Sequence, residues 1–133
     1  MARIAVIANP VASQFTGGAH RDVMSALSAE HEAEAMWPSS AMEASEMAGA
    51  AAADGFDVVV AMGGDGMVHH TAQGVVGTPT ALGIIPAGTT NVVARLLGMP
   101  NRPGKAARLI ASTPSPLAIG VATITIGHGS VES

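Results

Sequence analysis

The chain has 133 residues and a formal net charge of −4, from ten acidic and six basic side chains, so it offers no basic stripe for nucleic acid and no strong electrostatic anchor for a membrane surface. It has no cysteine, which excludes disulfides and thiolate metal sites and is compatible with a reducing, cytoplasmic compartment. Hydrophobic residues make up 48% of it, with two Phe, one Trp and no Tyr; this fits one domain that buries about two-thirds of its unfolded surface in a core of Ala, Val, Ile, Leu and Met, and no apolar run reaches the roughly 18 to 20 residues of a membrane span.

Arg3 to Ala8 is too short for a signal-peptide core and reads as a first buried strand. Asn9 to Gly18 is a polar turn, opened by Asn9-Pro10, a pair that commonly starts turns. Ala19 to Glu30 follows as a helix with Ala19, Val23, Met24 and Leu27 on one face, while His20, Arg21 and His31 read as solvated positions. Ala33 to Trp37 is a second strand, and Trp37 at its end reads more simply as a core or rim residue than as a shield for a nucleotide base. Ser40-Ala41-Met42-Glu43 is a capping box. The helix it opens carries Ala44, Met47, Ala48 and Ala51 on one face and stops at Asp54-Gly55.

The most informative stretch comes next. Val58 to Met62 is a continuous apolar, β-branched run of the kind buried on both faces of a parallel sheet. It ends in Gly63, Gly64, Asp65 and Gly66, where glycine permits positive φ and close approach of a ligand to the main chain. A helical pattern begins at Met67, which places the turn at a strand's carboxyl end and a helix's amino end, where unpaired N–H groups and the helix dipole favour a phosphate. A bare carboxylate beside phosphate is repelled, so Asp65 is expected to work through Mg²⁺ or on a substrate hydroxyl. The plan then repeats: Ala81 to Ile85 as a strand, Pro86-Ala87-Gly88-Thr89-Thr90-Asn91 as its loop, and Val92 to Leu97 as a helix that Asn91 can cap. Two such units in tandem set both loops along one edge of a parallel sheet, where ligands bind. Beyond a connector at Gly98 to Pro103 come a short helix from Gly104 to Ala111, a linker through Pro116, and a loosely alternating strand from Leu117 to Ile126.

The glycine turn is not the dinucleotide fingerprint, because His69 stands where the third glycine belongs and the turn follows the third strand, not the first. It is no Walker loop either, since no Gly-Lys-Ser/Thr occurs. Adjacent His69 and His70 point about 100° apart on a helix and cannot form the i, i+4 metal pair. Arg95 is equally suited to a phosphate or to an acidic neighbour.

Gly63, Gly64, Asp65, Gly66 and Gly74, followed by Pro86, Gly88, Thr89, Asn91, Ala94 and Arg95, resemble the diacylglycerol kinase catalytic-domain family, as does Asn9-Pro10 after the first strand. That family includes bacterial lipid kinases and sphingosine and ceramide kinases, with NAD kinases as distant relatives. The resemblance covers almost the whole chain. Departures from its pattern are Met67 where Thr is common, His70 where Glu is usual, and Val92 where bacterial members often carry Asp.

The resemblance implies a three-layer, Rossmann-like α/β domain with a mostly parallel sheet over residues 1–113, and in 114–133 a linker with the first strand of a β-rich second domain that holds the acceptor contacts. It implies ATP and Mg²⁺ as ligands and transfer of the γ-phosphate to a lipid alcohol such as diacylglycerol. Backbone amides of Gly64, Gly66 and Met67, in the turn opened by Gly63, would hold the phosphates. Asn9, Thr89 and Asn91 would complete the cradle, and Asp65 would orient Mg²⁺ or take the hydroxyl proton. Such a half-enzyme is expected to be inactive alone. Peripheral membrane contact is compatible with a lipid acceptor, and dimerisation with an unpaired edge at Leu117 to Ile126. Competing readings are a nucleotide-binding module without catalysis and an NAD kinase-like fragment.

Overall fold

The computed structural model describes residues 1–12, 15–87, 95–96, 98–100 and 102–112. Four strands, β1 (Arg3–Ala8), β2 (Glu32–Met36), β3 (Val58–Gly63) and β4 (Ala81–Pro86), alternate with the helices α1 (Gly17–Ser28), α2 (Ala41–Ala53) and α3 (Asp65–Val75), and α4 (Pro103–Ser112) follows β4. All strand pairs are parallel, in the order β2-β1-β3-β4. The α/β class with a parallel sheet is therefore as expected. The linker and strand expected beyond residue 112, the Gly88 to Asn91 loop and the helix expected over Val92 to Leu97 lie largely or wholly outside the described residues.

The order of the strands follows from the handedness of their connections. The chain leaves β1 in one direction to make β2 and returns past it to make β3, and right-handed crossovers then put α1 on one face and α2 and α3 on the other. The contacts agree, since α2 packs on α3 and α1 on α4. With helices on both faces, every residue of β3 and β4 is buried, which is why these strands read as unbroken apolar runs. β2 lies at the edge of the sheet and exposes Glu32 and Glu34; such charges discourage pairing with another chain. It runs one residue earlier than the expected Ala33 to Trp37, because the Glu32 N–H already donates to Ala2 O at 2.9 Å.

The shortage of aromatics is answered at the crossing of α2 and α3. The buried face of α2 is Ala44, Ala48 and Ala51, small enough for the helices to touch backbone to backbone. At Gly74 a Cβ would overlap the Ser45 carbonyl oxygen and come within 2.7 Å of Ala48 Cβ and 2.9 Å of Gly49 N. Gly74 is thus a packing residue.

His31 is not the solvated residue the sequence suggests. Its Nδ1 accepts from Ala2 N–H at 3.0 Å and its Nε2 lies 2.9 Å from Ala111 O. A backbone donor on Nδ1 and a carbonyl acceptor at Nε2 together require the Nε2–H tautomer. The ring pins the end of α4 to the start of β1. His31→Ala should remove both bonds, strand a partly buried carbonyl and lower stability by about 1–3 kcal/mol; an unchanged urea midpoint would return His31 to the surface residues.

Candidate functional site

Because the strands are parallel, the carboxyl ends of all four share one edge, and the chain reverses direction there between β1 and β3. Such a switch point leaves a crevice outside the strand ends. Asn9 follows β1, and Gly63 closes β3 beside it, with Asn9 N–H donating to Met62 O at 3.0 Å. A cleft of about 370 Å³ opens at this edge. Asn9 and Val11 line it from β1, Pro38 to Ala41 from the turn into α2, and Gly66, Met67 and His70 from α3. A larger depression of about 780 Å³ lies between α1 and α4, lined by Asp22, Glu30 and Arg108 among others. It holds none of the motif residues, so size alone does not locate the site.

The start of α3 distinguishes this cleft chemically. The helix begins at Asp65, two residues before the expected Met67, with Gly64 as its N-cap. Asp and Gly are poor helix formers in an interior, but a carboxylate in the first turn complements the positive end of the dipole. The first intrahelical bond runs from Val68 N–H to Gly64 O at 3.1 Å, so the Gly64, Gly66 and Met67 amides belong to the turn whose N–H groups lack intrahelical acceptors. In α1 a side chain answers that need, Thr16 Oγ1 accepting from Ala19 N–H at 2.9 Å. In α2 Ser40 Oγ accepts from Glu43 N–H at 3.1 Å. α3 has no side-chain cap.

The glycines of the turn act differently from what their type suggests. Gly64 has φ −90°, and the described glycines with positive φ are Gly55, Gly77 and Gly98. Gly63 is required by close approach: a Cβ there would sit 2.8 Å from Met67 Cβ and 3.6 Å from Asn9 Cβ. Gly66 is required by no described neighbour, since among the described residues a Cβ there meets no atom within 4 Å. It leaves open the space into which the first turn of α3 points, and that is the space a bound phosphate needs.

Asn9 turns out to hold both of its expected roles open. Its Oδ1 accepts from Val11 N–H at 3.1 Å and shapes the turn, which leaves its NH₂ as the polar group it can offer a ligand, of the right sign for an anion. Asp65 is half-buried at the amino end of α3 and does not line the cleft. Thr89 and Asn91 lie outside the described residues. No group of three or more His, Asp or Glu able to hold a metal exists among the described residues.

Local sequence did not mark Pro38 to Ala41 as a wall of the cleft. Ser40 reads as a capping residue and is one, and Glu43 Oε1 accepts from Ser39 N–H at 2.7 Å, one residue before the N-cap partner of an ordinary capping box. Only the crossover of α2 brings them opposite α3. Trp37 does not line the cleft. It packs with Phe15, 6.0 Å away edge to face, and with His20 of α1 at 4.5 Å, as a rim residue. Burial in this cluster lowers the pKa of the His20 imidazole from its usual value, and its Nε2 is buried without a hydrogen-bond partner among the described residues. Arg95 is exposed.

Comparison with known proteins agrees with this geometry. The family model for the diacylglycerol kinase catalytic domain matches residues 3–122. A diacylglycerol kinase of Mycobacterium tuberculosis is 48% identical over 67 residues, 50% of this chain and 22% of that protein. One from Bacillus subtilis is 44% identical over 61 residues, 44% of this chain and 20% of that protein. The crystal structure of a diacylglycerol kinase from Bacillus anthracis superposes with a TM-score of 0.75 at 27% identity, over 82% of this chain and 41% of that one. The matched stretch is thus less than half the length of each of these relatives. A parallel sheet with its switch point at Asn9 and the Gly-Gly-Asp-Gly turn, and a family match over nearly all of the chain, lead to one assignment: the chain belongs to the diacylglycerol kinase catalytic domain family.

Proposed function

We propose that this chain is the nucleotide-binding half of an ATP-dependent lipid kinase, and that the cleft at the strand ends takes the polyphosphate of ATP. The observation that carries the reading is the first turn of α3, uncapped by any side chain and facing open space at Gly66. Residues 1–113 would form the nucleotide-binding unit, and 114–133 would lead into a second, β-rich domain holding the acceptor. The relatives' names, diacylglycerol kinase, support a lipid alcohol such as diacylglycerol as that acceptor. A cytoplasmic setting with peripheral membrane contact suits such a substrate, and no described helix is long and apolar enough to cross a membrane.

In this reading the amides of Gly64, Gly66 and Met67 hold phosphate oxygens, and the Asn9 NH₂ closes one side. Thr89 and Asn91 complete the cradle from the neighbouring strand end. Positioning and charge neutralisation then do most of the work of phosphoryl transfer. The acceptor oxygen bonds to the γ-phosphorus as the bond from that phosphorus to the β,γ-bridging oxygen breaks, ADP leaves, and the hydroxyl proton passes to a base. Bound Mg²⁺ would neutralise charge on the phosphates. Asp65, at the end of the cradle, is assigned either to that ion or to the proton.

Asp65→Asn separates these roles. If Asp65 serves the ion, calorimetric titration should show MgATP binding about tenfold weaker, or about 1.4 kcal/mol. If it is the base, affinity should be kept while turnover of the two-domain enzyme falls about 10²- to 10⁴-fold. Unchanged affinity together with unchanged turnover would remove Asp65 from the site. NAD as a control ligand, alone and in competition with ATP, tests the NAD kinase-like alternative, which requires saturable NAD binding.

A further inference from the structure

We infer that His70 contacts the polyphosphate in this cleft, so that the chain grips a triphosphate more tightly as the imidazole takes up a proton; the inference rests on the nucleotide site proposed above. Among the described residues that line the cleft, His70 is the one with an ionisable side chain. It follows Gly66 and Met67 by one turn of α3 and so shares their face. Helical Cα–Cβ bonds tilt toward the amino terminus, which leans the imidazole toward the turn whose amides open on the cleft. Among the described residues no atom lies within 4 Å of a Cβ position at Gly66, and the cleft reaches both residues.

The surrounding charges set the direction. On α3, the His69 ring stands 4.9 Å from the His70 ring, and Asp65 lies in the first turn. On α2, Glu43 is held by Ser39 N–H at 2.7 Å and Glu46 is exposed. β3 and β4, beneath α3, carry no ionisable residue. An imidazolium attracts a phosphate that a neutral imidazole does not, so a His70 side chain that touches the bound phosphate couples protonation to anion binding. A glutamate at this position, usual in the family pattern, would act in the opposite sense.

The test is calorimetric titration of this chain with MgATP and, separately, with inorganic tripolyphosphate, at about pH 8 and about pH 6, the range in which imidazole changes charge. Wild type, His70→Gln and His69→Gln are compared. The terminal phosphate of each ligand also titrates there, so the readout is the difference between wild type and His70→Gln. Lowering the pH should tighten wild-type binding by about tenfold more than that of His70→Gln for both ligands, the effect of one charge-assisted contact. His69→Gln should keep most of that response. Equal pH courses for wild type and His70→Gln would overturn the inference and leave the nucleotide site standing. Folded wild type that binds neither ligand at either pH would overturn both. Imidazole NMR of the wild type gives the answer without a variant: saturating MgATP should shift the His70 resonance toward its protonated position, and an unmoved resonance would sink the inference.

Discussion

Gly74→Val should destroy the fold of this chain or leave it barely stable. The Cβ alone would overlap the Ser45 carbonyl oxygen and crowd Gly49 N at 2.9 Å and Ala48 Cβ at 2.7 Å. Two of these three atoms are backbone and the third is rigidly attached to it, so no rotamer change relieves the overlap. α3 would have to lift from α2 along its length. Overpacking of this kind removes about 3 kcal/mol or more, a large part of the roughly 5–15 kcal/mol that keeps a domain folded. A valine variant with a wild-type urea midpoint would show that the helices do not cross where the structure puts them. Gly74 is shared with the family pattern, and its role is explained without any ligand.

Gly66→Leu should do the reverse, keeping the fold and losing the ligand. No described atom lies within 4 Å of a Cβ there, and leucine is a better helix former than glycine, so stability should hold or rise by up to about 1 kcal/mol. The same side chain would fill the space in front of the Gly64 and Met67 amides. MgATP binding should weaken by about tenfold or more, at least about 1.4 kcal/mol. Normal nucleotide binding in a folded leucine variant would place the phosphates elsewhere, and a large loss of stability would make Gly66 structural after all. Two glycines on one helix are thus expected to fail in opposite ways, because one faces α2 and the other faces the cleft.

Much of the site is legible residue by residue. Val58 to Met62 announces a strand covered on both faces, and the Gly63 to Gly66 turn announces a strand-to-helix junction where a phosphate can bind. The start of α3 is less legible, because Asp65 and Gly66 score poorly as helix formers and are favoured only by their place in the first turn. The glycines are legible as a group and misleading as individuals. Conformational freedom is the property a sequence suggests for them, whereas Gly63 is needed for contact with Met67 and Gly66 only for the space it leaves. His31 shows the same limit, since a polar residue after a helix gives no sign that its partners are Ala2 and Ala111.

The sequence by itself determined the α/β class, the strands β1, β3 and β4, and the glycine turn that joins β3 to a helix. These depend on local periodicity and on residue types within a few positions of one another. The tertiary structure alone decided that β1 and β3 are neighbours, that Asn9 meets the glycine turn, and that the capped start of α2 forms the wall facing the uncapped start of α3. The physical reason is that such pairings follow from the handedness of crossovers and from which faces can be buried together. Both are properties of the whole packed chain, and no window of sequence contains them.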